Sequence, residues 1–223
     1  MTLNERYRRT IEYFEMNLPV AETELTYNNA FELIVSVILS AQCTDKRVNL
    51  ITPPLLAKYP DAETMSKAEP SEIFEYIKSC TYPNNKAKHL SGMSKMLVNE
   101  FGGIVPSEPD VLQRLPGVGR KTANVVASVV YSKKVIAVDT HVFRVANRIG
   151  LVSNARTPLS VELQLFRKIP SELINKAHHW LILHGRYICK ARKPLCGECG
   201  LRDICKYFNE ILKKQTNFPI KNE

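Results

Sequence analysis

Long apolar runs are missing from this chain of 223 residues. The longest candidate, residues 31–41, is interrupted by Glu32, Ser36 and Ser40 and falls short of the roughly 20 residues that a membrane span requires. No leader of basic, apolar and small residues opens the sequence, so a soluble intracellular protein is expected. Aromatic residues are only 8% of the chain and form no cluster on which single-stranded nucleic acid would stack. The period-two alternation of half-buried strands is lacking too, apart from a short extended stretch at 135–138, and no repeat or low-complexity segment stands out. An all-α fold follows. Acidic residues are scarce in one half: residues 111–223 hold 7 Asp/Glu against 20 Lys/Arg, whereas residues 1–110 hold 15 against 11. A basic half of this kind points to a polyanion partner, nucleic acid first among them.

What is present is a succession of helical patterns. Tyr7, Ile11 and Phe14 share one face of a helix over 3–16, which Asn17-Leu-Pro ends. A largely buried helix is expected over 30–39. Thr44 or Asp45 then caps another, which Pro53-Pro54 should break or restart. Ser71 opens a helix running to Ser79, Thr81 to Asn85 reads as a turn, and 86–101 is helical up to Gly102-Gly103. The Lys-rich tail after Tyr207 is expected to fray.

The most informative stretch is Leu-Pro-Gly-Val-Gly-Arg-Lys-Thr-Ala, residues 115–123. A short helix beginning at Ser107-Glu-Pro-Asp, with Asp110 near its cap, leads into a turn holding Gly117 and Gly119, and a second helix leaves it. Glycine permits φ > 0 and close approach to the backbone. A helix N-terminus offers unpaired N–H groups and the positive end of its dipole, so the whole is suited to an anion. No strand precedes it and no Gly-Lys-Ser/Thr follows, which excludes a P-loop or a dinucleotide fingerprint.

Lys121 falls in the first turn of that second helix, beside Arg120. Both the dipole and the neighbouring charge favour the free amine. Freeing half of an ordinary lysine at neutral pH takes a drop of about 3 units, roughly 4 kcal/mol. The dipole supplies at most ~2 kcal/mol, so partial burial is required as well. The alternative role for Lys121 is a plain phosphate contact. Asp139 follows eighteen residues later. Residues 121–131 as helix climb about 15 Å, and 132–138 extended can return about 23 Å, enough to bring Asp139 back towards Lys121. Asp139 also precedes the helical pattern Val142, Val145, Ala146, Ile149 and is suited to cap it.

Cys189, Cys196, Cys199 and Cys205 stand as C-x6-C-x2-C-x5-C, with Cys43 and Cys80 far upstream. Clustered cysteines in an intracellular protein indicate metal rather than disulfides. Four thiolates suit zinc and an iron–sulfur cluster alike. Between the first two lie Arg192-Lys193-Pro194, a basic loop whose shape a bound centre would fix. His178, His179 and His184, around Trp180, are expected to pack rather than ligate.

Taken together, Leu-Ser-Ala-Gln at 39–42, Asn-Lys-Ala at 85–87, residues 115–147 and the run from His178 to Cys205 resemble the helix-hairpin-helix DNA glycosylase/AP lyase family, most closely its endonuclease III branch. The resemblance covers nearly the whole chain. It implies two helical domains flanking a DNA-binding cleft: residues 21–131, with the helix-hairpin-helix at about 109–131, and residues 1–20 plus 132–223, with a cluster loop at 189–205. It implies a [4Fe-4S] cluster on the four cysteines. It assigns Lys121 as nucleophile and Asp139 as its partner, acting on duplex DNA that carries an oxidised pyrimidine or an abasic site. DNA contacts are implied at Gln42, Tyr82, Gly117, Val118, Gly119, Arg120, His141, Arg144, Arg192 and Lys193, Gln42 filling the gap left by the extruded nucleotide. Where the family often has a Gly-Leu-type turn this chain has Thr81-Tyr82-Pro83, which would make Tyr82 a stacking wedge. A monomer is expected. The alternatives are an adenine-type monofunctional glycosylase, which Lys121 and the lack of sequence for a further domain after the cluster argue against, and a non-catalytic metal-containing DNA-binding module, which leaves the Lys121/Asp139 pairing idle.

Overall fold

Helical periodicity without strand alternation leaves helix packing as the means of burying apolar faces. The computed structural model, described for residues 1–210, accordingly has eleven α-helices, one short 3-10 turn and no strand among the described residues. In chain order the helices are α1 (Leu3–Asn17), α2 (Ala30–Ser40), α3 (Asp45–Lys58), α4 (Ala62–Ser66), α5 (Pro70–Ile77), α6 (Pro83–Phe101), α7 (Pro109–Leu112), α8 (Arg120–Tyr131), α9 (Thr140–Ile149), α10 (Pro158–Lys168) and α11 (Ile174–Tyr187). The chain divides into two units, Thr23–Lys133 and, discontinuously, residues 1–22 with those from Lys134 onward. The expectation for the tail after Tyr207 falls largely on residues 211–223, outside the described residues.

In the first of these units α2 is the centre. Asn29 caps it, its side chain accepting from Glu32 N–H at 2.9 Å. From Phe31 to Leu39 all but Glu32 are buried, so the helix is apolar all round and packs against α3, α6 and α8. Each buried Leu or Ile contributes about 1.5–3 kcal/mol relative to exposure.

Pro53 and Pro54 do not break α3; both lie inside one continuous helix. Their missing N–H groups leave the carbonyls of Asn49 and Leu50 without the usual partners. Leu50 is exposed, so water can meet its carbonyl, while Val48, Ile51, Thr52 and Leu55 are buried and hold the helix to the core. The turn expected at 81–85 is shorter. Pro83 already occupies the first helical position of α6, where a missing N–H costs nothing. Asp110 does not cap α7; Glu108 holds that position and Asp110 sits in the first turn.

The second unit is built on α1, α9, α10 and α11. Phe14 stacks on Trp180 with ring centroids 5.7 Å apart and planes 13° from parallel, and Trp180 Nε1 donates to the Leu18 carbonyl at 2.8 Å. The Tyr7 hydroxyl donates to the Leu151 carbonyl at 2.8 Å. In α9 the buried residues are Val142, Val145, Ala146 and Ile149, the face the periodicity marks. At Gly185 an added Cβ would stand 2.9 Å from His141 Cβ and 3.1 Å from Val145 Cγ2, so α11 approaches α9 closely only because that position has no side chain. The stretch 135–138 is an irregular connection rather than a strand, with Ile136, Ala137 and Val138 buried.

Candidate active site and cysteine centre

The hairpin joins α7 to α8. Val118 N–H donates to the Leu115 carbonyl at 3.0 Å, and Leu115 and Val118 are buried beneath the turn. Gly117 has φ +81°, and a Cβ there would lie 2.8 Å from His89 Cβ, so both backbone and space require glycine. Gly119 differs from the expectation drawn from its residue type. Its φ of −87° and ψ of 175° suit any residue, but nothing lies within 4 Å of where its Cβ would be. Gly119 is the N-cap of α8 and offers no side chain to the first-turn N–H groups. The hairpin thus has one glycine for the bend and one for open access.

Lys121 stands in the first turn of α8, exposed. The partial burial expected of it is absent. In the other unit Asp139 is the N-cap of α9, and its Oδ1 accepts from Val142 N–H at 2.8 Å. The cap expected from sequence is formed, and it fixes the carboxylate at a helix start, where the positive end of the dipole favours an anion.

Gln42 lies just beyond α2 and Tyr82 just before α6. Both are exposed, and both hold left-handed backbone, φ 55° and 54°. Such a conformation is uncommon for residues other than glycine and costs about 1–2 kcal/mol, a feature that clusters at ligand-binding positions. Thr81 Oγ1 donates to the Gln42 carbonyl at 2.8 Å, so the two turns are hydrogen-bonded to each other.

The four clustered cysteines are unpaired and line one cavity with Ile149, Leu201 and Tyr207. Burial pushes the Cys199 and Cys205 thiols up, and the charges of the other cysteines push the same way, which places the four sulfurs in one electrostatic neighbourhood. Binding of a metal as thiolate removes those protons. Four free thiols lining one cavity supply the donor set of a four-thiolate centre.

The loop from Cys189 is gripped by α9. Arg144 Nε donates to the Cys189 carbonyl at 3.0 Å and its Nη2 to the Gly185 carbonyl at 2.9 Å, with His141 Nδ1 3.2 Å away. Arg148, which sequence reading passed over, donates to the carbonyls of Lys190 at 2.7 Å and Ala191 at 3.0 Å, reaches Cys189 Sγ at 3.6 Å, and lies 4.5 Å from the Tyr207 ring centroid. The spacing of Arg144 and Arg148, four apart on one helix, was the available clue. Arg192 and Lys193 remain exposed on the loop, Lys193 with φ 50°. The three histidines near Trp180 are buried. His178 Nδ1 lies 2.8 Å from the Ala137 carbonyl, and His184 Nε2 lies 3.6 Å from Cys199 Sγ.

Residues 35–171 match the model of the HhH-GPD superfamily of base excision DNA repair proteins, and residues 189–205 match the iron-sulfur binding domain of endonuclease III. Endonuclease III of Rickettsia conorii is 48% identical over 200 residues, covering 90% of this chain and 95% of the relative. The chain belongs to the endonuclease III family of the HhH-GPD superfamily. The Escherichia coli (strain K12) endonuclease III is 42% identical over 198 residues, covering 87% of this chain and 92% of the relative. Among solved structures, a trapped endonuclease III–DNA covalent intermediate superposes with TM-score 0.90 at 39% identity, covering 95% of this chain and all of that one. A thermostable thymine-DNA glycosylase superposes with TM-score 0.82 at 25% identity, over 93% of this chain and 98% of that one. This endonuclease III family member carries a [4Fe-4S] cluster, and the matched iron-sulfur segment, 189–205, runs from Cys189 to Cys205.

Proposed function

We propose that this base-excision repair enzyme removes oxidised or ring-damaged pyrimidines from duplex DNA by attack of Lys121 on the sugar. The Lys121 amine adds to the anomeric carbon as the glycosidic bond breaks and the base departs with its bonding electrons. The C1′–O4′ bond then opens, O4′ taking a proton, to give the imine; this acidifies the adjacent C2′ proton, and β-elimination breaks the 3′ C–O bond, which is the lyase step. The Asp139 carboxylate stabilises the positive charge that develops on the sugar and assists transfer of protons to and from the amine. The observation that carries this reading is the exposed Lys121 in the first turn of α8, behind a hairpin whose Gly119 leaves the helix start open. A DNA phosphate seated on that helix start through the backbone of Gly117, Val118, Gly119 and Arg120 brings the sugar to the lysine.

Gln42 and Tyr82 act as wedges in the space left by the extruded nucleotide. Extrusion costs least where the base is already damaged, which favours lesions over intact pairs. Arg192 and Lys193 meet phosphates from the cluster loop. The Arg144 guanidinium serves instead to hold that loop, since its donors go to internal carbonyls, and His141 works beside it. The cluster, when bound, cross-links the loop's ends and fixes its basic side chains. The hairpin domain is residues 21–131 and the cluster domain residues 1–20 with 132–223, acting as a monomer in the cytoplasm. No described helix is long and apolar enough to cross a membrane.

The test is reductive trapping. Duplex bearing a damaged pyrimidine, incubated with protein and borohydride, should give a covalent protein–DNA adduct. Lys121→Ala should abolish the adduct and retain DNA binding. An adduct that survives the substitution would move the nucleophile to another amine.

A further inference from the structure

Two cysteines and a lysine of the Thr23–Lys133 unit take no part in the chemistry above. Cys80 is buried just after α5, and its thiol donates to the Leu39 carbonyl at 3.3 Å. Cys43, half-buried in the turn after α2, is close enough for its thiol to interact with that of Cys80. Lys86, 5% exposed, spends its three N–H bonds on the carbonyls of Leu39 at 2.8 Å and Ala41 at 2.7 Å and on Cys80 Sγ at 3.2 Å. A buried ammonium hydrogen-bonded to two neutral carbonyls and a sulfur gains most when that sulfur is a thiolate. Both thiols are free.

The location gives the pair a consequence. Cys43 directly follows Gln42, and Cys80 precedes Tyr82 by two residues, so each sulfur sits at the base of a turn that presents an exposed side chain on left-handed backbone. The Thr81–Gln42 hydrogen bond already joins these turns by one weak link.

We propose that Cys43 and Cys80 form a reversible disulfide, driven by peroxide, that locks the Gln42 and Tyr82 turns together and lowers affinity for DNA. The effect on DNA rests on the reading of Gln42 and Tyr82 as wedges; formation of the bond does not. The half-buried Cys43 is the sulfur an oxidant reaches. It attacks one oxygen of hydrogen peroxide, the O–O bond breaks, and sulfenic acid and one water result. The Cys80 sulfur then attacks the Cys43 sulfur, the S–O bond breaks, and a second water leaves. Two thiols and one peroxide thus become one disulfide and two waters. Burial keeps peroxide from the Cys80 sulfur, while Lys86 Nζ, 3.2 Å away, favours the thiolate with which Cys80 resolves the sulfenic acid. A dithiol reductant reverses the reaction. The bond draws residue 43 towards residue 80, displaces Gln42 from its presented position, and removes the slack that insertion into a duplex requires.

The experiment uses the full cluster-loaded chain, exposed to hydrogen peroxide with the visible absorbance of the cluster followed throughout. Peptides mapped by mass spectrometry without reduction should include one pair joined at Cys43–Cys80 and lighter by two hydrogens. Affinity for a duplex containing a stable abasic-site analogue should fall about tenfold with cluster absorbance intact, and dithiothreitol should restore it. Cys43→Ser should bind as the reduced protein does, before and after peroxide. Cys43→Ser is preferred to Cys80→Ser because the Cys80 sulfur is buried against Lys86. Absence of the joined peptide overturns the proposal. A joined peptide with unchanged affinity overturns the switch alone if Gln42→Ala and Tyr82→Ala weaken binding in the reduced protein. If those two substitutions are also neutral, the wedge reading fails with it.

Discussion

The Asp139 carboxylate closes the start of its own helix, its Oδ1 accepting from Val142 N–H at 2.8 Å. Asparagine caps a helix about as well as aspartate, whereas alanine loses about 1 kcal/mol. Asp139→Asn should therefore keep the thermal midpoint close to that of the unaltered protein while strand cleavage slows by two orders of magnitude or more, about 3 kcal/mol of transition-state stabilisation. Single-turnover kinetics beside a melting curve check this. Full activity in Asp139→Asn would reduce the residue to a cap.

The hairpin glycines should respond differently to substitution. Gly117→Ala forces a side chain into left-handed backbone and onto His89, so stability should drop by about 2 kcal/mol and DNA affinity with it. Gly119→Ser meets open space at an N-cap, where serine is the better residue by a few tenths of a kcal/mol. Its stability should hold or rise slightly while affinity for DNA falls, because the hydroxyl takes the N–H groups that a phosphate would use. Urea denaturation paired with a binding titration separates the two cases, and a Gly119→Ser protein that binds DNA normally would place the phosphate elsewhere.

Arg148→Met should loosen the cluster without unfolding the chain. It removes three contacts to the loop that begins at Cys189, to the carbonyls of Lys190 and Ala191 and to Cys189 Sγ, while its aliphatic replacement preserves packing against Tyr207. The half-life of visible absorbance under chelator challenge should shorten several-fold, with helical circular dichroism unchanged. An unaltered half-life would show that the cysteines alone hold the loop.

His179 gives the fold a sensitivity to acid. Burial, with Arg186 adding to it, lowers its pKa from 6.5 to about 4. Between those values the unfolded chain binds a proton that the folded chain refuses, so stability falls as pH drops below about 6.5 and the loss levels off near pH 4. From pH 7 to pH 5 the loss from this group is about 2 kcal/mol. His179→Gln, which does not titrate, should reduce the pH 7-to-5 difference in unfolding free energy by about that amount, read from urea midpoints. An equal pH dependence in the two proteins would mean that His179 is protonated in the folded state.

Several parts of the molecule are local in origin and legible one residue at a time. The caps at Asn29, Thr44 and Asp139, the buried face of α9 and the bend at Gly117 follow from side-chain chemistry acting over three or four residues. The four-cysteine spacing is of the same kind. Other features depend on partners distant in the chain. Pro53 and Pro54 remain in one helix because tertiary burial of Val48, Ile51 and Leu55 outweighs the two missing hydrogen bonds. Helix α11 carries no side-chain cap, and it is held by packing on α9.

The amino-acid order by itself determined the helical class, the polyanion partner, the hairpin and the four-cysteine spacing of the iron-sulfur segment, because composition, glycine placement and cysteine spacing act within short stretches of chain. Only the tertiary structure decided that Lys121 is exposed, that Arg144 and Arg148 serve the cluster loop, and that Cys43, Cys80 and Lys86 meet. Those facts require residues up to 47 positions apart to be brought together, as Arg148 is with the carbonyls of the cluster loop and Lys86 with that of Leu39, and no local preference encodes such a meeting.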